Sequence, residues 1–372
     1  MKNYLSRELY GINHLSEQMK ILPNPQTLFG GGADYYRILR NLTDDPHVWS
    51  CVQSRKSGVV GSDYSIDSGG APEKIAGIIT EMINSLDVLA LSRACIDGVL
   101  YGFTPFELVW KLENGRFRPI KLVQLGSEYF TFNPEGTLLF NGRKGPEPVP
   151  DNKVIIASHE ANPLNPYGKA VLASCYWPVK FKSGGAKYWV NYMERYGMPL
   201  IIGHFERGAG FDEARKLADE LSSLADNTVI VAPSDIDIDL KEAARGSSVS
   251  LFRELINHCN SEISKAILSQ TLTTEIGSGS YAAAQTHYRI RRELLLSDSA
   301  IIEKFFNSLI ESIVDLNFPG SAYPKFNHLA ETADITERAD RDIKLSSLKG
   351  FQFTKEYWIK NYGFEDSDII ID

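Results

Sequence analysis

The stretch ISKAILSQTLTTEIGSGS, residues 263–280, decides how the chain is arranged, because it separates two long helical patterns. On its N-terminal side, apolar residues recur every three or four positions from Phe252 to Ile267, which is the spacing of one helix face. On its C-terminal side, a pattern of the same period runs from Tyr281 to Leu316. Between the two, Gln270–Ser280 is polar and rich in Thr, Gly and Ser, so we predict a loop that joins two helices.

Another long helical pattern, rich in aromatic residues, occupies residues 168–196. Pro178 and the pair Gly184-Gly185 are expected to kink or interrupt this helix. Residues 199–241 then combine strand signals with one short amphipathic helix that begins at Phe211. This arrangement predicts a small α/β module inserted between two long helices.

The first half of the chain predicts a mixed unit of helices and strands. Helical patterns run from Ala33 to about Val60 and over residues 72–100, and Asp45-Pro46 is typical of a helix start. The period then changes to two, and Asn114-Gly115 marks a hairpin turn. Further short strands follow as far as Ala157, so we predict an antiparallel sheet and a fold class of α+β, mainly helical.

Three sets of polar residues are candidates for a binding surface. Basic and aromatic residues alternate on the helix at 168–196, as in proteins that bind single-stranded nucleic acid, although a packed aromatic stripe with a solvated basic face explains the same pattern. Three aspartates on one strand face suit a divalent cation, although a solvated face is commoner. The candidates are Lys180 and Lys187 on this helix, the polar face Arg253, Asn257, Ser261 and Ser264 on the helix that ends near Ile267, and Asp235, Asp237 and Asp239 on the strand.

Motifs for catalysis or cofactor binding are absent from the sequence. It contains no G-x-x-x-x-G-K-[ST], no H-E-x-x-H and no G-x-S-x-G. Its four cysteines, Cys51, Cys95, Cys175 and Cys259, form no C-x-x-C pair, so we expect buried free thiols. We therefore expect a protein that is not an enzyme and that holds no cofactor and no metal.

The net charge of -8 argues against a protein that grips duplex DNA, because such proteins neutralise phosphates with basic patches. A protein that lets DNA slide past must avoid strong contacts with phosphates, so the negative net charge is compatible with a DNA channel. The N-terminal residues lack the apolar core of a signal peptide, and no run of about 18 apolar residues occurs. We expect neither a signal peptide nor a membrane span.

Two internal motifs resemble the portal proteins of Mu-like bacteriophages, and the resemblance covers about residues 30–365. The first motif comprises Tyr167-Gly-Lys-Ala170, Trp177-Pro-Val-Lys180, Trp189 and Glu194-Arg-Tyr-Gly-Met-Pro199, and the second comprises Ile263–Thr274, Gly277–Ser280 and Ala282–His287. Asp44-Asp-Pro-His47 followed by Arg55, and the segment Gly102–Trp110, also resemble the family.

The resemblance implies a phage portal fold with a wing, a two-helix stem, an inserted α/β clip, a tunnel loop and a long wing helix. The implied segments are an N-terminal arm (1–32), the wing (33–165), the first stem helix region (166–198), the clip (199–245), the second stem helix (246–269), the tunnel loop (270–281), the long wing helix (282–320) and a C-terminal helical segment with a short or absent crown (321–372).

The resemblance also assigns roles to the polar residues. It implies that the stem candidates Lys180, Lys187, Arg253, Asn257, Ser261 and Ser264 line a bore, and that the three clip aspartates form a docking surface. An ordinary flexible connection is the alternative for the tunnel loop, whose short hydroxyls are suited to weak, sequence-blind contacts with a DNA backbone. Its DNA-facing candidates are Thr271, Thr273, Thr274, Glu275, Gly277, Ser278, Gly279 and Ser280.

The function implied is a homo-oligomeric ring, of twelve subunits in the particle, that forms the channel for DNA packaging and ejection at one capsid vertex. The implied partners are other copies of the chain, the terminase large subunit, head-completion or adaptor proteins, major capsid and scaffolding proteins, and double-stranded DNA, with no membrane. The implied location is the virion, and the bacterial host cytoplasm during assembly. Another ring-forming virion protein is the main alternative, and a phage DNA-processing nuclease is a more remote one.

Overall fold

The protein is described by a computed structural model that covers Pro23 and residues 32–60, 62–196, 201–206, 210–224, 229–236, 245–271, 281–329, 335–348 and 352–362. The helices are α1 (Ala33–Leu42), α2 (Pro46–Gly58), α3 (Glu73–Asn84), α4 (Val88–Cys95), α5 (Asp97–Tyr101), α6 (Val171–Tyr196), α7 (Phe211–Leu224), α8 (Arg245–Leu268), α9 (Tyr281–Asn317), α10 (Ile335–Ser346) and α11 (Lys355–Tyr362). The strands are β1 (Asp63–Asp67), β2 (Phe103–Glu113), β3 (Arg116–Gln124), β4 (Phe130–Phe132), β5 (Leu138–Gly142), β6 (Gly145–Pro148), β7 (Val154–Ser158), β8 (Ile201–Phe205), β9 (Val229–Pro233) and β10 (Lys325–Leu329). The predicted mainly helical α+β class is confirmed.

Two antiparallel sheets, with strand orders β3-β2-β7 and β4-β5-β6, follow the first helices. The predicted hairpin turn joins β2 to β3, and both of its residues, Asn114 and Gly115, have a positive φ (51° and 74°). A two-residue hairpin turn with this geometry matches the right-handed twist of its strands. Strand β6 was not predicted, because its sequence GPEP lacks strand-forming residues.

The long helix α9 packs across the first sheet and forms one hydrophobic core, called here the long-helix core. Phe305 contacts Phe106 of β2 with ring centroids 4.7 Å apart, and Phe306 stacks on Phe326 of β10 at 4.4 Å. Strand β10 pairs antiparallel with β1 in a separate two-stranded sheet. Sequence patterns missed both strands, because DYSID and KFNHL are short and largely polar.

A second core joins α1 and α2 to the first turns of α6 and the last turns of α8, through buried residues such as Leu39, Phe103, Leu172 and Ile263. All four cysteines are buried free thiols, as predicted. Burial raises the pKa of Cys175 to about 12, because a thiolate there would lose its hydration.

Helices α6 and α8 form an antiparallel pair, called here the helix pair. Leu172 and Ile263 share the core at one end, and Trp189 stacks on Phe252 nearer the other end. The two helices approach closely at Gly185, where an added Cβ would lie 2.8 Å from Cδ2 of Leu255. Of the two expected outcomes, interruption of α6 is wrong, because one helix runs through Pro178 and both glycines, and a kink stays a prediction. Packing on each side of the proline offsets the one hydrogen bond that it removes.

In the sequence, the predicted α/β module lies between α6 and α8. Its strands β8 and β9 run parallel, and α7 packs on them. Gly203 of β8 allows this approach, since a Cβ there would lie 2.7 Å from Cδ1 of Leu221. Among the described residues, no single helix has both the length and the apolar composition of a membrane span. The helical segments Glu73–Asn84 and Val88–Tyr101 reach that composition only when taken together, and they meet at a bend of 77°.

Candidate functional site: the helix pair and its junction with the long helix

The two helices of the pair turn their polar faces in opposite directions. On α6, Lys187 lies about 200° around the helix axis from Gly185, the point of closest approach to α8. On α8, Asn257 lies about 200° from Leu255, which contacts α6 at that point. Lys180, Lys187, Arg253 and Asn257 are exposed and Ser261 is half-buried, so the lysines project from one side of the pair and the α8 residues from the other.

The two sets therefore lie on different sides of the pair, and their role in lining a bore stays a prediction. Ser264 belongs to neither face, because it is fully buried and lies 2.7 Å from Nε2 of His47. Sequence periodicity placed Ser264 on the polar face of α8, but α2 covers that face near the end of the helix.

Apolar side chains remain exposed along both flanks of α6, between its packed face and its polar face. Phe181 and Tyr188 lie on one flank, and Tyr188 is 69% exposed. Val190 and Met193 lie on the opposite flank and are about half exposed. Exposed apolar side chains therefore occur on two different sides of the same helix.

Helix α2 connects the pair to the rest of the chain by polar contacts along its length. At its N-terminus, Asp45 accepts hydrogen bonds from the backbone N–H groups of His47 and Val48, as a helix cap does. The same carboxylate binds Nζ of Lys182 on α6 at 2.9 Å. His47 reaches Ser264 on α8. The N-terminal end of α2 therefore holds both members of the helix pair.

At the other end of α2, Arg55 makes a buried connection to α8 and α9. Its Nε and one terminal nitrogen donate to the two carboxylate oxygens of Asp298 at 2.9 and 2.7 Å. Its remaining terminal nitrogen donates to the carbonyl oxygen of Ile267 at 2.8 Å. The side chains are only 4% and 0% exposed. Sequence reasoning missed Asp298, although a carboxylate between Leu295 and Ile302 on an apolar stripe signals a buried ion pair.

The chain leaves α8 through a tightly defined turn. Ser269 has a φ of 57°, in the left-handed region, and its N–H donates to the carbonyl of Lys265. Gln270 is buried. Of the predicted DNA-facing residues, only Thr271 lies within the described part, and Thr273, Thr274, Glu275, Gly277, Ser278, Gly279 and Ser280 lie outside it.

The long helix begins well beyond this turn. Arg291 lines the same small pocket as Arg55, Leu268 and Gln270. At 1.5 Å per residue, Arg291 lies roughly 15 Å along the helix axis from Tyr281. The first turns of α9 therefore precede the point at which this helix meets the end of α8.

At the far end of the α/β module, an exposed aromatic residue lies beside carboxylates. The C-terminal ends of β8 and β9 meet there, since the N–H of Ser234 donates to the carbonyl of Phe205, and α7 starts at Phe211, which is 84% exposed. Asp212 is exposed next to it, and Asp235 is exposed at the same end. Asp235 lies in a turn and not on the predicted strand, whereas Asp237 and Asp239 fall outside the described residues. The described residues contain no cluster of three potential metal ligands.

His328 of β10 packs beside the Arg55 connection. Its Nδ1 lies 2.9 Å from Oγ of Ser299, and its backbone N–H donates to Glu303. Burial lowers the pKa of this imidazole below 6.5, because the charged form would lose its hydration, and the nearby Glu303 carboxylate opposes the shift more weakly. The neutral form is therefore favoured in the folded chain.

Solved structures with the same architecture come from virus-like particles. The fold matches a chain in the virion of the native gene transfer agent particle with a TM-score of 0.60, 13% identity, and coverage of 90% of this chain and 96% of that chain. It also matches a chain in the neck of the empty gene transfer agent particle, computed with C6 symmetry, with a TM-score of 0.59, 14% identity, and coverage of 85% and 90%. The fold is that of a phage portal protein.

Residues 36–364 match the family described as the portal protein of Mu bacteriophage, and the chain belongs to that family. The portal protein of Escherichia phage Mu is 24% identical over 336 residues, which are 82% of this chain and 62% of that protein. The Mu-like prophage FluMu protein gp29 of Haemophilus influenzae is 25% identical over 338 residues, which are 84% and 63%. The chain thus spans less than two thirds of the length of these relatives. The family is structural, and a chain of the same fold is present in a virion.

Proposed function

We propose that copies of this chain close into a ring, of twelve subunits in the particle, at one vertex of a phage capsid. The ring forms the channel through which double-stranded DNA is packaged and ejected. In this proposal, α6 and α8 form the stem, residues 199–245 the clip, 270–281 the tunnel loop and α9 the long wing helix. The particle is assembled in the cytoplasm of the bacterial host, and the chain catalyses no reaction.

The two exposed flanks of α6 carry this proposal beyond family membership. A closed ring needs contacts between two different faces of each subunit. Phe181 and Tyr188 provide one apolar face, and Val190 and Met193 provide the other. The neck computed with C6 symmetry, which contains a chain of the same fold, is compatible with a ring of twelve.

We also propose partners for the end of the clip and for the wing, as the family resemblance implies. The exposed Phe211 with the neighbouring carboxylates at the end of the clip favours a partner surface that combines basic residues with an apolar pocket. We assign this surface to the terminase large subunit during packaging and to head-completion or adaptor proteins afterwards. Major capsid and scaffolding proteins surround the wing.

Particles made with and without the chain test the proposal. Heads assembled in cells that lack this gene should be free of DNA and of tails, because the entry channel and its docking surface are missing. Supplying the chain from a plasmid should restore DNA-filled, tailed particles in electron micrographs. DNA-filled heads in the absence of the chain would contradict the proposed function.

A further inference from the structure

Arg55 connects three elements that lie far apart in the sequence. It belongs to α2, its carboxylate partner Asp298 belongs to α9, and its third contact is the carbonyl of Ile267 in the last turn of α8. That carbonyl has no partner within its own helix, as is usual for the last four residues of a helix. Arg55 supplies the missing donor from a buried, charge-balanced position.

The contact lies immediately before the point where the chain departs toward the tunnel loop. Ser269 turns the backbone into the left-handed region, and Gln270 is buried in the pocket that Arg55 lines. A shift of Ile267 would change the direction in which the chain leaves α8. Arg291 and Leu295 of α9 line the same pocket, so α9 also packs beside the end of α8 at this position.

We propose that Arg55 is a positioning residue for the tunnel loop. It fixes the last turn of α8 against α9 and so sets where the loop enters the channel. This inference rests on the proposed function, in which the loop contacts the passing DNA. It extends that function, because it assigns control of the position of the loop to a residue that does not itself contact DNA.

The planar guanidinium is suited to this task, because its fork can hold a carboxylate with two nitrogens while a third points elsewhere. Lysine carries the same charge but presents a single nitrogen, so it cannot reproduce the fork. Replacing a buried ion pair with apolar residues of similar volume often leaves a fold intact, whereas removing one partner does not. The pair can therefore be removed as a unit while the fold is retained.

The test compares two double variants of the full chain. Arg55→Met/Asp298→Leu removes the donor to Ile267 together with its balancing charge. Arg40→Met/Glu128→Leu removes another two-nitrogen Arg–carboxylate pair, with contacts of 3.0 and 2.7 Å, that does not touch α8. Hydrogen exchange should be about tenfold faster at the amides of residues 269–271 in the first variant only, since one hydrogen bond holding the turn is lost. Arg55→Lys should give a smaller increase at the same amides.

A purely structural role would lower the unfolding midpoint without a change confined to these amides, so thermal unfolding is measured in parallel. Rings of Arg55→Met/Asp298→Leu should assemble but give fewer DNA-filled heads than the Arg40 control. Unchanged exchange at residues 269–271 would overturn the proposal, as would normal filling of heads despite faster exchange. If even Arg55→Lys destabilises the whole chain, Arg55 serves the core in general and the proposal is also overturned. Because exchange can be measured whether or not rings form, failure of ring assembly in the wild-type chain is distinguished from failure of this inference.

Discussion

The long-helix core and the helix pair bury their apolar residues to very different extents. In the long-helix core, Phe305 and Phe306 are completely buried, and α9 also bonds the backbone of one residue on each of two strands. Asn307 of α9 bonds both backbone groups of Phe326 on β10, and Asn317 does the same for Phe117 on β3. In the helix pair, by contrast, α6 exposes apolar residues on both flanks. The long-helix core is buried within a single chain, whereas in the proposed ring the apolar flanks of α6 are covered by neighbouring copies.

The contrast between the two regions is clearest in the burial of individual aromatic residues. An aromatic side chain gains stability from burial in proportion to the area removed from water. Phe306 obtains this gain by folding alone, whereas Tyr188 at 69% exposure obtains it only from contact with another molecule. Changes in the two regions should therefore affect different measurements.

The largest expected effect is loss of the ring. The double substitution Phe181→Ser/Tyr188→Ser removes one apolar flank, so the assembled species should be replaced by monomers in mass photometry. The free energy of unfolding of the monomer should fall by roughly 1–2 kcal/mol, less than for a fully buried ring, because Phe181 is half-buried and stacks on Trp177. Rings of normal size and stability would show that this flank is not part of the subunit contact.

Phe306→Ala is the matched change in the long-helix core. It should lower the free energy of unfolding by about 3–5 kcal/mol, since it removes a buried ring and leaves a cavity. Chemical denaturation of the monomer measures this loss. The comparison of the two regions would be contradicted if Phe306→Ala changed the free energy of unfolding of the monomer less than the Phe181/Tyr188 variant does.

Intermediate effects are expected at two adjacent glycines of α6. Gly185→Val places a branched side chain against Leu255 and should cost about 1–3 kcal/mol of unfolding free energy by overpacking. Gly184→Ala meets open space and should stabilise the helix by about 0.5–1 kcal/mol. Thermal unfolding of both variants checks the sign, and equal effects would contradict the close approach at Gly185.

The smallest expected effect is the pH dependence contributed by His328. Because the folded chain has the lower pKa, the unfolded chain binds the proton more readily. Stability from this group is present above pH 6.5 and is lost as the pH falls through the folded value. His328→Gln should therefore reduce the loss of stability as the pH falls below 6.5. Urea titrations of the wild-type and variant chains at several pH values measure this difference.

Much of the fold could be predicted from the sequence where local signals are strong. The Asp45-Pro46 cap, the Asn114-Gly115 turn and the long periodic helices all lie where the patterns placed them. The strand pair β1–β10 could not be predicted, because its partners lie far apart in the sequence and each strand is short and polar. The continuous course of α6 through Pro178 depends on tertiary packing, which local propensity does not contain.

The candidate surfaces were harder to predict, because they depend on how elements pack together. Periodicity gave each helix a polar face, but it could not show that the faces of α6 and α8 point in opposite directions. Nor could it show that α2 covers Ser264. Arg55 resembled the family pattern, yet its contacts with Asp298 and Ile267 become visible only in three dimensions.

Negative-stain electron microscopy of the purified full chain tests the central claim most directly. Exposed apolar flanks on opposite sides of one stem helix should drive closure of the subunits. Class averages should therefore show rings with an axial hole and one rotational symmetry. A preparation that contains only monomers, closed shells or flat sheets would contradict the account.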